Sequence, residues 1–441
     1  MATSHACFST PGSGPTFMNA LVYAVPVFVA LILLEVLAAR VMRRDVYNLH
    51  DAVTSMNIGI MSEVVRSTVK LLTVVIYAVV ADQLGAFSFD LKSPWVWVLA
   101  FFLYDFGYYW AHRAGHEVSL LWGAHVVHHN SEEFNLSTAL RQSSTNQVFY
   151  WVFYMPMALL GIPVQVFVII ALASAVYQFW VHTQLIGKLG WMDRVFSTPS
   201  NHRCHHGKND YCLDRNYGGT LIIWDRLFGT YTEERDDEPV VYGTLTPINS
   251  WNPVWANFKH YVHIVASVAT LRGWKHKLMS VFAPPGWTPQ GMLPHPLVDP
   301  RHVVKFATPA GPWQRAYGVL ACAVVYLMAL HWLFTAASLS LPVRLAYGGV
   351  LVLGVLGLSQ VISHHRHGAV LEALRAALVF GALAAGWWFT PVIGAAKALA
   401  LLGLVVTLWV LRQVRTEQQQ GQAPGAAPAP PAGAASGALL S

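Results

Sequence analysis

Charge is what this chain has least of. Only 11% of its 441 residues are Asp, Glu, Lys or Arg, against about 25% in a soluble globular domain. A soluble enzyme is excluded on that balance alone, and the 55% apolar content places the chain in a bilayer. Cysteine is nearly as scarce: Cys7, Cys204, Cys212 and Cys322 include no C-x-x-C pair. That removes both a disulfide framework and a thiolate metal site. Cys204 stands between His202 and His205 but faces away from them on a helix, which argues against a ligand role. A basic leader is also missing from Met1 to Thr16, so the first apolar segment is expected to be a retained anchor. The formal charge of +6 suits anionic lipid headgroups, and no nucleic-acid motif accompanies it.

Long apolar runs are abundant. A membrane crossing needs roughly 20 mostly apolar residues. Candidates are Phe17 to Ala39, Val64 to Val80, Trp95 to Trp110, Val148 to Leu160, Val164 to Val181, Ala316 to Ala337, Leu345 to Ile362, Val370 to Phe389 and Val392 to Leu411. The fourth and fifth, joined at Gly161-Ile162-Pro163, predict a helical hairpin. Arg40, Arg43, Arg44, Arg366, Arg412 and Arg415 all fall on one side when crossings alternate, which predicts that side to be cytosolic. The expected fold class is all-α, a polytopic integral membrane helical bundle with a cytosolic, histidine-rich diiron cap. The expected organisation is 1–90 N-terminal membrane helices, 91–290 a catalytic domain, 291–314 a linker, 315–412 C-terminal membrane helices and 413–441 a disordered tail rich in Ala, Pro, Gly and Gln. Within the polar stretch, Val262 to Val281 mixes apolar residues with Lys275 and Lys277, as in a helix lying in the membrane interface, either as an anchor or as a lip over a lipid path.

Eight histidines carry the chemical signal: His112-x3-His116, His125-x2-His128-His129 and His202-x2-His205-His206. Residues at i, i+3 and i+4 leave one face of a helix, so each cluster aims its imidazoles in one direction. Imidazole ligates iron, copper, zinc and nickel, and eight nitrogens exceed one tetrahedral site, so two metal ions are expected. His182, in Trp180-Val181-His182-Thr183, is placed to add a ninth nitrogen. Asp105 lies two helical turns before His112, as suits a carboxylate orienting a liganding imidazole. Glu117 reads as a ligand, a holder of bound water or a proton acceptor, against a plain solvated helix residue. His331 reads as a hydrogen-bonded core residue, and His364, His365 and His367 as a headgroup-facing loop.

A nitrogen-rich, thiolate-free pair of iron ions within reach of lipid suits activation of dioxygen to break a strong C–H bond, with water excluded. A membrane metal transporter or sensor is the alternative of another class. It would place ionisable groups inside several crossings, whereas these clusters gather near helix ends.

The three-cluster pattern resembles the fatty acid hydroxylase and sterol desaturase superfamily of membrane diiron enzymes. Longer strings are similar to the alkylglycerol monooxygenase family: YDFGYYWAHRAGHE at Tyr104 to Glu117, HVVHHNSEEFNLSTALRQS at His125 to Ser143, YQFWVHT at Tyr177 to Thr183, TPSNHRCHHGKNDYCLDRN at Thr198 to Asn216, LIIWDRLFGT at Leu221 to Thr230 and YGTLTPIN at Tyr242 to Asn249. The likeness spans about residues 20 to 290. It implies that His112 and His116, then His125, His128 and His129, then His202, His205 and His206 are the three histidine boxes, and that Glu117 matches a glutamate needed for activity. It further implies two Fe ions, O2 as co-substrate, tetrahydrobiopterin as reductant and hydroxylation of the carbon next to an ether oxygen, giving fatty aldehyde and a glycerol derivative. The late helices match poorly, which leaves open a fatty acid, sterol or hopanoid hydroxylase or desaturase with a protein electron donor. The basic, alanine-rich composition reads as bacterial, so the inner membrane is the expected location.

Overall fold

The structure is a computed structural model that describes residues 17–384 apart from 337 and 366, together with 404–405, 407–417 and 419. The regular structure among the described residues is helical, apart from a two-residue antiparallel hairpin, Trp287–Thr288 against Gly291–Met292, and long loops join the helices between Phe228 and Pro253 and between Met292 and Pro312. The helices that matter for the site are α1 (Phe17–Val41), α2 (Leu49–Leu84), α3 (Pro94–Glu117), the single turn α4 (Val126–His129), α5 (Val164–Trp180), α6 (Pro199–His205), α7 (Pro253–Thr270), α8 (Trp274–Phe282), α9 (Pro312–Thr335), α10 (Leu341–Ile362) and α11 (Gly368–Ala384).

Three of them are long and apolar enough to cross a membrane by length and composition: α1 from Ala24 to Val41, α9 and α10. Leu72–Leu84 and α5 are shorter apolar helices. The remaining predicted spans differ for local reasons. Val64 to Val80 belongs to α2, a 36-residue helix about 54 Å long at 1.5 Å per residue. Its start is fixed by Asn48, whose side chain accepts from the N–H groups of His50 and Asp51 at 2.9 and 3.2 Å. The first half of α2 buries Asp51, Ser55, Asn57 and Ser62, and the apolar part of the helix is Leu72–Leu84.

Val148 to Leu160 is not a continuous helix. One turn at Asn146–Phe149 tightens into a 3-10 segment, Tyr150–Tyr154, before Met155–Leu160. Here the aromatic rings are drawn onto α3: Tyr154 stacks on Tyr104 at 4.8 Å, and Gly107 admits the approaching main chain of Phe153. Gly161 then ends the segment at φ +92, a conformation open to glycine, in direct contact with the Phe87 main chain. The predicted interfacial helix is two helices, α7 and α8, broken at Gly273 with φ +81. Their outer face leaves Val265, Trp274 and Phe282 exposed.

Packing couples the two ends of the chain. Ile60 and Met61 of α2 bury with Val325 and Trp332 of α9 and Leu351 and Val355 of α10. Glu35, inside apolar α1, accepts from Thr183 Oγ1 at 2.5 Å, from Leu136 N at 2.7 Å and from the Tyr47 hydroxyl, which anchors α1 to the loops around the histidines. His331 is hydrogen-bonded to the Tyr347 hydroxyl at 3.0 Å, as its core reading anticipates. The predicted span Val392 to Leu411 lies largely outside the described residues. Residues 407–417 are helical, and the Glu417 carboxylate accepts from Trp313 N and Gln314 N at the start of α9; most of the predicted tail lies outside the described residues.

Candidate metal centre

Four pieces of chain supply nine buried or part-buried imidazoles. α3 presents His112 and His116 in its last turns. His125 caps α4, which carries His128 and His129; His182 follows α5; α6 carries His202 and His205 and is capped by His206. The rings form two groups. His112, His116, His125, His129 and His205 offer nitrogens within 4.8 Å of one another, and so do His128, His182, His202 and His206.

The division cuts through the sequence clusters in a regular way. At 100° per residue, an i+4 neighbour is offset by about 40° one way and an i+3 neighbour by about 60° the other. The i,i+4 pairs His112/His116, His125/His129 and His202/His206 stay together, while the i+3 members, His128 and His205, cross to the opposite group. Two short helices therefore each serve both groups, which couples the groups mechanically.

Main-chain carbonyls fix the tautomers. The Nδ1–H of His112 donates to Tyr217 O at 2.8 Å, that of His128 to Arg141 O at 3.0 Å, that of His182 to Gln178 O at 2.8 Å and that of His205 to Arg215 O at 2.9 Å. A carbonyl only accepts, so each of these rings turns an Nε2 lone pair inward. The Nε2 atoms within each group crowd together: Nε2 to Nε2 is 3.1 Å for His128 and His182, 2.9 Å for His182 and His202, and 2.9 Å for His112 and His125. The Nε2 atoms of His116 and His205 are buried with no hydrogen-bond partner among the described residues. Burial pushes the imidazoles of His125, His129, His182, His202, His205 and His206 well below the ordinary range, and His128 down to about 4. Neutral rings with convergent, unpaired lone pairs are a donor set for cations and for little else, so the residues present fit a pair of metal ions.

The two expected carboxylates stand apart from both groups. Asp105 makes no hydrogen bond to any of the nine imidazoles. Its oxygens accept from Thr220 N at 2.7 Å, Leu221 N at 3.1 Å and Trp224 Nε1 at 2.9 Å. Although α3 does put Asp105 on the face of His112, the loop at 217–221 occupies the space between them. Asp105 thus pins the loop whose Tyr217 carbonyl orients His112. Glu117 is bonded to Arg113 Nε at 2.9 Å, one turn back, with its side chain 39% exposed. Arg113 claims that carboxylate at the very end of the helix and holds it outside the histidine groups. Cys204 is buried outside both groups.

Sequence reasoning missed the supports. Asp225 accepts from Tyr217 N, Gly218 N and Thr230 Oγ1, each at 2.7 Å, and so fixes the same loop. Asp214, held at φ +54, lies 3.4 Å from His116 Nδ1. The fully buried Arg141 side chain bonds Asp51 and Ser55 of α2. An arginine inside so apolar a chain is the sequence signal for such a buried support.

A cavity of about 420 Å³ opens from the histidines. His112, His125, His128 and His182 form one part of its wall, and the remainder is largely apolar surface from α2, α3, α5 and α9, including Ile60, Tyr77, Phe167, Ala171, Phe179 and Leu333. A flexible alkyl chain is the shape such walls accept.

The chain is similar to known proteins over most of its length. The fatty acid hydroxylase family matches residues 97–230. Alkylglycerol monooxygenase of Homo sapiens is 34% identical over 381 residues, 85% of this chain and 84% of that protein. Its counterparts in Danio rerio and Xenopus tropicalis are 36% and 35% identical, covering 86% and 80% of this chain and 85% and 79% of their own lengths. No solved structure matches.

Proposed function

The chain belongs to the alkylglycerol monooxygenase family, and from that premise we propose that its two histidine groups hold two iron ions and that its substrate is an alkylglycerol. Hydroxylation of a lipid by a membrane monooxygenase is the activity common to that family and to the fatty acid hydroxylase domain. The finer reading is attack on the carbon next to the ether oxygen. One oxygen atom of O2 enters the C–H bond and the other leaves as water, with two electrons drawn from tetrahydrobiopterin. The hemiacetal then collapses to a fatty aldehyde and a glycerol derivative.

The observation that carries this reading is the cavity that runs from His112, His125, His128 and His182 into apolar walls. The bound metal pair would supply dioxygen activation and C–H oxidation. This chain's own residues do the rest: the carbonyls of Tyr217, Arg141, Gln178 and Arg215 hold the imidazoles in one tautomer, and the aromatic walls exclude water and present one carbon of the chain. We place the histidine groups on the cytosolic face of a bacterial inner membrane, on the side marked by Arg40, Arg43 and Arg44. The proposed catalytic unit is 91–290, with α2 and α9 closing its cavity from outside that range.

Membranes carrying the protein, given an alkylglycerol, tetrahydrobiopterin and oxygen, should release fatty aldehyde, and iron should be present at two per chain. Oxidation of a fatty acid or sterol without any aldehyde from the ether would overturn the substrate; iron at one per chain would overturn the pair.

A further inference from the structure

The cavity is not apolar throughout. Gln142, Asn146, Gln147 and Tyr150, with Glu63 and Arg66 of α2, make one polar stretch of its lining. Three side-chain atoms in that stretch are buried without a hydrogen-bond partner among the described residues: the Tyr150 hydroxyl, Asn146 Oδ1 and, on α2, Arg66 Nε. Buried polar atoms are nearly always satisfied, so orphans facing one cavity point to a missing partner. The tyrosine hydroxyl can donate and the amide oxygen only accepts, while the Arg66 Nε–H adds a further donor.

Their position relative to the histidines is informative. The Tyr150 hydroxyl lies against Gly115, where a Cβ would collide with it while also meeting the His125 side chain. Gly115 stands between His112 and His116 on α3, so the 3-10 segment delivers this hydroxyl to the edge of the five-histidine group. The Tyr150 end of the polar stretch therefore adjoins the metal centre instead of lying at the far end of an alkyl tunnel. An ether oxygen is one bond from the carbon attacked beside it, which requires the polar head next to the metals. A fatty acid oxidised along its chain would need the polar group far away. Glu63 and Arg66 pair with each other at 2.8 Å, so this part of the wall carries no net charge.

We infer that Tyr150 and Asn146 form a head-group subsite for a neutral, hydroxyl-bearing head, with the tyrosine hydroxyl donating to a substrate oxygen and Asn146 Oδ1 accepting from a substrate hydroxyl. The assignment rests on the ether-lipid reading above and deepens it. A carboxylate head has no proton for Asn146 Oδ1, whereas a diol satisfies both atoms at once.

The test uses the full-length, iron-loaded protein in membranes and two chain-matched substrates, an alkylglycerol and an alkyl methyl ether that lacks both hydroxyls. Wild type should favour the alkylglycerol. Tyr150→Phe and Asn146→Leu should each raise KM for the alkylglycerol about 5- to 10-fold, as loss of one hydrogen bond does, with iron content retained and KM for the methyl ether unchanged. Aldehyde production by wild type together with an unchanged alkylglycerol KM in both variants overturns the subsite alone. Equal losses on the two ethers overturn it too, because a merely structural role predicts them. If wild type yields no aldehyde from either ether, the reaction assignment falls and the subsite falls with it.

Discussion

The main-chain carbonyl of Arg141 accepts the Nδ1 proton of His128 at 3.0 Å, while the Arg141 guanidinium reaches back to Asp51 at 3.3 Å and to Ser55 Oγ at 3.1 Å. One residue therefore joins an imidazole of the four-histidine group to the first turns of α2. Asp51 is held in turn by Ser131 at 2.5 Å, two residues beyond His129. Arg141→Met leaves the Asp51 carboxylate buried without its cation. Removal of one partner of a buried pair costs about 3–5 kcal/mol, and a lost support of a liganding histidine weakens metal binding about 10- to 100-fold. The variant should melt earlier in detergent and take up iron only at higher concentration. An iron titration that overlays wild type would show that the carbonyl holds its place without the side chain.

His182 offers the sharpest test of the division into five and four. It belongs to none of the three closely spaced clusters, yet its Nε2 lies 3.1 Å from that of His128 and 2.9 Å from that of His202. His182→Ala reduces the smaller group to three imidazoles and leaves the larger one intact. Iron should fall to about half of the wild-type content, with turnover abolished, since four ligands become three at one ion only. Retention of both iron and turnover would remove His182 from the ligand set.

The i,i+4 spacing made the histidine centre legible because a helix converts sequence interval directly into direction. What spacing could not convey is the crossing of His128 and His205, which depends on how α4 and α6 face each other across the centre. Asp105 shows a second limit. Sequence reading looks for side-chain acceptors, but the atoms that orient His112, His128, His182 and His205 are main-chain carbonyls, which carry no residue signature. Val148 to Leu160 is apolar enough to predict a span, yet it is broken into one α turn, a 3-10 segment and a short helix, and hydropathy does not register such breaks. The Asn48 cap, by contrast, was readable and would have started α2 some fifteen residues before the apolar run.

Acid should destabilise the fold around His260 of α7, because a charge would have to be buried there. Burial lowers the His260 imidazole from its ordinary 6.5 to about 4, and its Nε2 lies 2.9 Å from the Ser119 carbonyl. With a folded pKa below the unfolded value, the folded state binds fewer protons. The contribution is therefore complete above about pH 6.5 and declines as pH falls toward 4, to a total on the order of 3 kcal/mol. Unfolding midpoints measured from pH 7 to pH 4 should drop less steeply in His260→Gln than in wild type. Parallel curves would mean that the imidazole is not desolvated as its surroundings require.

Chain-length preference should respond to a small residue well along α5 from the histidines. Ala171 lines the cavity and precedes His182 by eleven residues, about 16 Å along a helix at 1.5 Å per residue. A small residue there leaves room for the part of an alkyl chain that has already passed the histidines. Ala171→Trp fills that space without touching a histidine or the Tyr150 and Asn146 pair. Long-chain alkylglycerols should lose about tenfold or more in kcat/KM, since a pocket distinguishes even one methylene by roughly that factor, while short-chain analogues should keep their rates and iron content should be unchanged. An equal loss for every chain length would mean that the tryptophan disturbs the fold, and no loss at any length would mean that the alkyl chain leaves the histidines by another route.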